Sequence, residues 1–84
     1  MPEICLNMGI TEIEIGEPEK AIEWFKKAIS LKKDYVPAYM RLIDLLVRYK
    51  LISEATIVAK MGLINSPNSE QLQKMLAELQ SLSQ

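Results

Sequence analysis

Two stretches of this sequence repeat each other: residues 21–28 read AIEWFKKA, and residues 55–62 read ATIVAKMG. Both stretches begin and end with a small residue and carry lysine at the sixth position. Aligned position by position, they give a period of about 34 residues, which indicates a supersecondary unit that stacks on a copy of itself. Stacking is needed because one such unit cannot bury its own apolar face. The sequence therefore predicts a repeat architecture.

The composition is that of an ordinary globular domain, with 84 residues of which 49% are hydrophobic and 25% are charged. A chain of this length forms at most one domain and buries only about 60–65% of the surface that its unfolded form exposes. The net charge of −1 produces no field that would attract nucleic acid or an acidic membrane surface. We therefore expect neither as a partner.

No membrane-spanning or secretory segment is predicted. Every apolar run is far shorter than the roughly 20 residues that a membrane-spanning helix requires. The first residues, MPEIC, lack the basic and apolar regions of a secretory signal, so a cytoplasmic location is expected. Cys5 is the only cysteine and cannot form an internal disulfide bond, and we interpret it as a small core residue.

Catalytic and metal sites are not expected, because the sequence contains no histidine and only one cysteine. A Ser-His or Cys-His arrangement is therefore impossible, and no cofactor is predicted. The acidic residues are dispersed along predicted helices and do not have the spacing of a metal site. The three glycines are too far apart to form a phosphate-binding loop. We therefore predict that the protein is not an enzyme.

Apolar residues recur at helical spacing over almost the whole chain, which predicts an all-α fold of five antiparallel helices. The first two helices are expected at about residues 3–15 and 18–31, with Gly16 ending the first. The fourth helix is expected to stop before Asn65. The predicted side-chain caps of the last three helices are Asp34, Ser53, and Asn68 paired with Gln71 in a capping box.

The apolar stripes also predict which side of each helix is buried. In the first helix, the buried side is expected to carry Ile4, Cys5, Met8 and Ile15. Gly9 is interpreted as a point where paired helices approach closely, with Phe25 filling the space between them. The expected buried residues of the other helices are Ala21, Ile22, Phe25, Ala28 and Ile29; Ala38, Leu42, Leu45, Leu46 and Tyr49; Ala55, Val58, Ala59, Gly62 and Leu63; and Leu72, Met75, Leu76, Leu79 and Leu82.

These residues resemble the tetratricopeptide repeat, a helix-turn-helix unit of about 34 residues whose signature runs W-x2-L-G-x2-Y, then A-x3-F, then P. The resemblance places a first unit at about residues 2–35, a second at about 36–69 and a capping helix at about 70–83. The signature is matched by Gly9, Ala21 and Phe25 in the first unit and by Leu42, Ala55 and Pro67 in the second. The implied fold is a helical repeat, or α-solenoid.

Two of the departures from this signature bear on local packing. Glu12 stands where a large aromatic residue is usual, which places the end of the first helix on an exposed face. Ile43 stands where a small residue is usual, and we interpret it as a slight widening of one helix pair.

The resemblance further implies a concave groove lined by the first helix of each unit. The implied groove residues are Glu3, Leu6, Asn7, Ile10, Ile13 and Glu14; Pro37, Met40, Arg41, Asp44, Val47 and Arg48; and Lys74 and Glu78. The apolar members, Leu6, Ile10, Ile13, Met40 and Val47, are expected to lack a partner within the chain, and an exposed apolar surface of this kind usually marks an interface. We therefore predict an adaptor or chaperone-like module that binds an apolar or amphipathic helical segment of a partner protein.

Alternatives to this prediction stay open. The chain could form a homodimer or belong to a longer array without a separate ligand, because stable arrays need three or more repeats. Chaperone-binding members of the family hold a peptide's terminal carboxylate with Lys and Asn, but Leu6 and Ile10 occupy two of the required positions. Arg41 and Asp44 could also pair with each other along one helix. The identity of a protein partner does not follow from the sequence.

Overall fold

The computed structural model describes residues 1–83, which form five α-helices and no strand. The helices are α1 (Pro2–Glu14), α2 (Pro18–Leu31), α3 (Val36–Arg48), α4 (Ile52–Asn65) and α5 (Glu70–Leu82). This confirms the prediction of an all-α fold with five helices. None of these helices is long and apolar enough to span a membrane. We call the α1–α2 pair unit one and the α3–α4 pair unit two.

The helices pack in a simple order. Each contacts the next one along the chain, and α5 also contacts α3. Short connections join them, which is typical of antiparallel neighbours. Helix α3 lies in the middle of the array and contributes six buried residues, more than any other helix. These six are Ala38, Tyr39, Leu42, Ile43, Leu45 and Leu46.

The same backbone turn ends the first helix of both units. In unit one, Gly16 has a φ of 83°, its N–H donates to the Ile13 carbonyl, and the Glu17 N–H donates to the Glu12 carbonyl. In unit two, Lys50 has a φ of 61° and occupies the position equivalent to Gly16. This pair of hydrogen bonds, closed by a residue of positive φ, is the Schellman motif. The predicted role of Gly16 in ending α1 agrees with this geometry.

The three predicted side-chain caps are wrong. Helices α3 and α4 begin after Tyr35 and Leu51, neither of which makes a side-chain cap hydrogen bond. The turn that ends α3 leads directly into α4, so Ser53 already lies inside the helix. At α5 the prediction misses by one residue. The Ser69 hydroxyl, not the Asn68 side chain, accepts the Leu72 N–H at 3.2 Å.

The buried side of α1 differs from the predicted one. Ile4, Met8 and Ile15 were expected in the core but are 57%, 40% and 66% exposed. The buried residues of α1 are Cys5 and Gly9. Glu12, expected on an exposed face, is half-buried. This orientation follows from Gly9, because a Cβ atom there would lie only 2.7 Å from Cδ1 of Phe25. Helix α1 therefore turns Gly9 toward α2 and buries Cys5 on the same side.

In α2 to α5, most of the predicted core is confirmed. The alanines, Phe25 and the leucines of α3 are buried, and the larger residues at the margins, such as Ile22, Val58 and Met75, pack against the core while partly exposed. Two predictions fail at helix ends. Tyr49, which is 54% exposed, follows the last residue of α3, and Leu82, which is 62% exposed, is the last residue of α5.

Candidate functional site

Helices α1 and α3 enclose a cavity of about 240 Å³ on one face of the array. Seven residues line it: Ile10, Ile13, Glu14, Arg41, Asp44, Leu45 and Arg48. Six of the fourteen predicted groove residues are thus brought together, and Leu45 is the one lining residue that was not predicted. The cavity combines apolar side chains with charges of both signs.

The periodicity of α3 explains why its charged residues share this cavity. Arg41, Asp44 and Arg48 follow each other at spacings of three and four, so they form one row along the helix. The three charged side chains are exposed, whereas neighbouring Leu42 and Leu46 turn into the core. The row is about 10 Å long, because seven residues of helix rise about 1.5 Å each. Helix α3 therefore presents a positive, negative, positive series beside α1.

A second cavity, of about 480 Å³, lies where the first turns of α3 and α5 meet. It contains Pro37 and Met40 from the predicted groove, with Val36, Ser66, Pro67, Asn68, Ser69 and Gln71. Eight of the fourteen predicted groove residues therefore line two separate cavities, one on each side of α3. Neither cavity includes Leu6, Asn7, Val47 or Lys74.

The apolar groove residues were expected to have no partner within the chain, and this expectation is wrong. Leu6, Ile10, Ile13, Met40 and Val47 are all partly buried and pack against the main hydrophobic core. They lie at the margin of the buried face that is centred on Gly9 in α1 and on Ile43 in α3. Asn7 and Lys74 are exposed, and the Asn7 carbonyl accepts a hydrogen bond from the Thr11 hydroxyl at 3.0 Å.

A third cavity, of about 800 Å³, is the largest of the three, was not predicted and lies between α2 and α4. Its walls include Ile22 and Ile29 from α2 and Ile57 and Met61 from α4, and its floor is formed by α3. A signal for it was present in the sequence. Helix α4 carries apolar residues outside the stripe that was assigned to the core.

Tyr39 joins the ends of α2 and α4 at the floor of this large cavity. Its hydroxyl donates to the Lys33 carbonyl at 2.7 Å and accepts from the Asn65 amide at 3.5 Å. Burial raises the pKa of the Tyr39 hydroxyl, the Asn65 hydrogen bond opposes this rise, and the Asp34 charge adds to it. The neutral hydroxyl is therefore the form that the fold favours. Tyr39 also shows that the C-terminal ends of α2 and α4 lie side by side.

Within residues 1–83, no three Cys, Asp or Glu side chains come together in a group that could hold a metal ion. The site is therefore described by its apolar surface and its exposed charges.

The sequence profile of the tetratricopeptide repeat matches residues 12–79, which is more than half of the chain. The chain belongs to the tetratricopeptide repeat family. Repeats of this family generally mediate interactions between proteins, and the family is typically non-catalytic. A comparison with curated proteins finds no match. Membership thus gives the fold and the general class of function.

Proposed function

We propose that this protein binds an apolar or amphipathic helical segment of a partner protein on the face formed by α1, α3 and α5. The observation that carries the proposal is the α1–α3 cavity, in which half-buried Ile10 and Ile13 lie beside the charged row of α3. An amphipathic helix offers the complementary combination, with an apolar stripe for the cavity and polar residues for its margin.

The size of the cavity favours a peptide side chain over a complete small molecule. Pockets for small ligands usually measure roughly 300–1,000 Å³, and this cavity of about 240 Å³ lies below that range. One or two apolar side chains of a docked helix would occupy it. The second cavity, beside Met40, would take a further anchor from the same segment.

The charges of α3 suggest which partner residues are favoured. Arg41 and Arg48 stand on either side of Asp44, so the row carries two positive charges and one negative charge. A partner helix with acidic residues seven positions apart would place one of them near each arginine. Arginine suits this role, because its guanidinium group forms paired hydrogen bonds with a carboxylate.

The test must change the charged row and leave the core intact. Ile13 and Met40 are poor targets, because both pack against the core and their substitution would also destabilise the fold. Arg41 and Arg48 are exposed, so the double variant Arg41→Glu/Arg48→Glu is expected to keep its helicity. The matched control is Lys20→Glu/Lys60→Glu, which makes the same change in net charge at exposed positions outside all three cavities.

The wild-type chain and both variants are immobilised and used to capture proteins from a cell extract. We expect the arginine variant to lose partners that the wild type and the lysine control retain. The bound segment of a captured protein, prepared as a peptide, should gain helical circular dichroism when the wild-type chain is added. Equal capture by all three chains would contradict the proposal, and so would a bound segment that stays extended.

A further inference from the structure

The outer side of α4 carries three exposed apolar residues in one row, which we call the α4 outer stripe: Ile57, Met61 and Ile64. They are 58%, 48% and 78% exposed, and their spacings of four and three place them on one face of the helix. The opposite face of α4 holds Ala55, Ala59 and Gly62, which are buried in the core. Helix α4 is therefore apolar on both sides, a pattern typical of helices that are covered on both sides.

The repeat provides an internal comparison for this stripe. The equivalent positions of unit one, on α2, are Glu23, Lys27 and Ser30. All three are exposed and polar, as the outer surface of a solvated helix should be. The fold itself therefore does not require apolar residues at these positions. Their presence on α4 indicates an interface that unit two has and unit one lacks.

The charges around the stripe form a pattern that can match itself. Ile57 and Met61 of the stripe also form the α4 wall of the large cavity between α2 and α4. The charged residues that line this cavity are Glu54 in the first turn of α4, Lys26 in α2 and Lys33 just after α2. Tyr39 contacts both Lys33 and Asn65, so Lys33 lies at the C-terminal end of α4. Glu54 and Lys33 therefore stand at opposite ends of the stripe, and Lys26, the unit-one equivalent of Lys60, lies between these ends.

From this arrangement we infer that a second copy of the chain covers the α4 outer stripe, with the two α4 helices antiparallel about a two-fold axis. In this register Ile57 lies opposite the partner's Ile64, and the two Met61 side chains meet near the axis. Glu54 then lies level with the partner's Pro67. The partner's Lys33 is at that same level along the helix axis, because Lys33 is the unit-one equivalent of Pro67 and α2 runs parallel to α4.

In this dimer Glu54 of each copy pairs with Lys33 of the other copy. Two-fold symmetry therefore gives two such ion pairs, one at each end of the stripe. Isologous interfaces of this type need a surface that is complementary to itself, which this face provides. The net charge of −1 allows close approach, because two nearly neutral chains do not repel each other over long distances. The α1–α3 cavity lies on another face and stays accessible in both copies.

The main test replaces the stripe by the residues that unit one carries at the same positions. The variant Ile57→Glu/Met61→Lys/Ile64→Ser is compatible with the fold, because α2 already carries these side chains. The control, Ile4→Glu/Met8→Lys/Ile15→Ser, makes the same changes on the exposed apolar side of α1. Sedimentation equilibrium over about 5 µM to 1 mM measures the dimer dissociation constant of each chain.

We expect a wild-type dimer, an α1 variant with an unchanged Kd, and an α4 variant whose Kd is at least about 100-fold higher, since interface anchors each contribute about tenfold or more. Circular dichroism checks that both variants are helical. If the triple variant unfolds, the single variant Ile64→Ser replaces it in this test, because the Ile64 side chain is 78% exposed and outside the core. This single change should still raise Kd several-fold. A wild-type monomer at 1 mM would overturn the inference, as would a dimer that only the α1 changes disrupt.

The charges test the two-fold register. Glu54→Lys and Lys33→Glu should each weaken the dimer by up to about tenfold, because each removes two exposed ion pairs and introduces like charges. The double variant should recover most of the lost affinity. Double and single variants that are equally weak would exclude this register. Loss of binding to a different protein, from a chain that stays monomeric, would assign the stripe to that protein and overturn self-association.

Discussion

Units one and two have the same helix-turn-helix arrangement, but they place the large residue of a packed pair in different helices. In unit one the first helix contributes Gly9 and the second contributes the large Phe25, which is fully buried. At the same positions unit two has the large Ile43 in its first helix and the small Ala59 in its second, both buried. Each pair therefore combines one large and one small residue. What the fold conserves is the total volume between paired helices, not the residue at each position.

This comparison explains why Ile43 is tolerated where a small residue is usual. The side chain does not need a wider helix pair, because the partner position has lost the volume of a phenylalanine. Dense packing requires such compensation, since a core leaves few voids and accepts little extra volume. The two units are thus alternative solutions of the same packing problem.

The largest expected effect comes from breaking the large-small pair of unit one. Phe25→Ala should destabilise the protein by about 3–5 kcal/mol, because a fully buried aromatic ring is replaced by a cavity. Gly9→Ile alone should also destabilise it, since even a Cβ atom at Gly9 would lie only 2.7 Å from Cδ1 of Phe25 and closer still to Cε1. The double variant, which carries the pair found in unit two, should be more stable than Phe25→Ala alone.

Urea unfolding of the wild type, both single variants and the double variant forms a complete double-mutant cycle. We expect a favourable coupling of at least about 1 kcal/mol, because the added isoleucine fills the space left by the ring. Additive effects would show that an isoleucine in place of Gly9 does not fill the space left by the Phe25 ring.

The sequence contained enough information to orient four of the five helices. In α2, α3 and α5 one apolar stripe dominates, and in α4, which has a second apolar row, the small residues Ala55, Ala59 and Gly62 mark the buried side. Helix α1 also has two apolar rows, one through Ile4 and Met8 and the other through Ile10 and Ile13. Periodicity alone cannot choose between them. The position of Gly9 was the signal that identifies the buried row. The close approach to α2 must centre on Gly9, and Ile4 lies on the opposite side of the helix.

The part of the site that lies on a single helix was predictable from the sequence. The charged row Arg41, Asp44 and Arg48 follows from helical spacing and from the burial of the leucines between its members. Half-burial of Ile10 and Ile13 depends instead on how α1 packs against the main hydrophobic core, and no local sequence pattern predicts this packing. The cavity between α2 and α4 depends on the separation of two helices that are not consecutive, so it also required the structure.

Tyr39 gives the second comparison, because the equivalent residue of unit one is Cys5. The tyrosine hydroxyl joins the Lys33 carbonyl and the Asn65 amide, whereas a thiol is too short to bridge two helix ends. Tyr39→Phe should reduce the free energy of unfolding by about 1 kcal/mol at pH 8, because the Lys33 carbonyl loses a buried donor. Urea unfolding at pH 8 measures this difference.

The difference should depend on pH in a definite direction. The pKa of the Tyr39 hydroxyl is raised in the folded protein, so its stabilising effect is complete below the pKa of the unfolded chain, about 10, and is lost as the pH rises through the folded value. The difference between wild type and Tyr39→Phe should therefore stay constant below about pH 10 and decrease above it. The phenylalanine variant shares every lysine with the wild type and corrects for their titration. A gap that widens with pH would contradict this account.

The smallest expected effect concerns the turns that end α1 and α3. Both turns need a positive φ, and unit one supplies Gly16 where unit two has Lys50. The left-handed conformation costs a residue with a Cβ atom about 1–2 kcal/mol, while glycine loses about 0.4–1 kcal/mol through the greater freedom of its unfolded state. Lys50→Gly should therefore stabilise the protein by about 0.5–1 kcal/mol, and Gly16→Ala should destabilise it by a similar amount. Urea midpoints should shift in opposite directions with unchanged slopes. A destabilising Lys50→Gly would mean that the lysine side chain supports unit two in a way that outweighs the strain of its backbone.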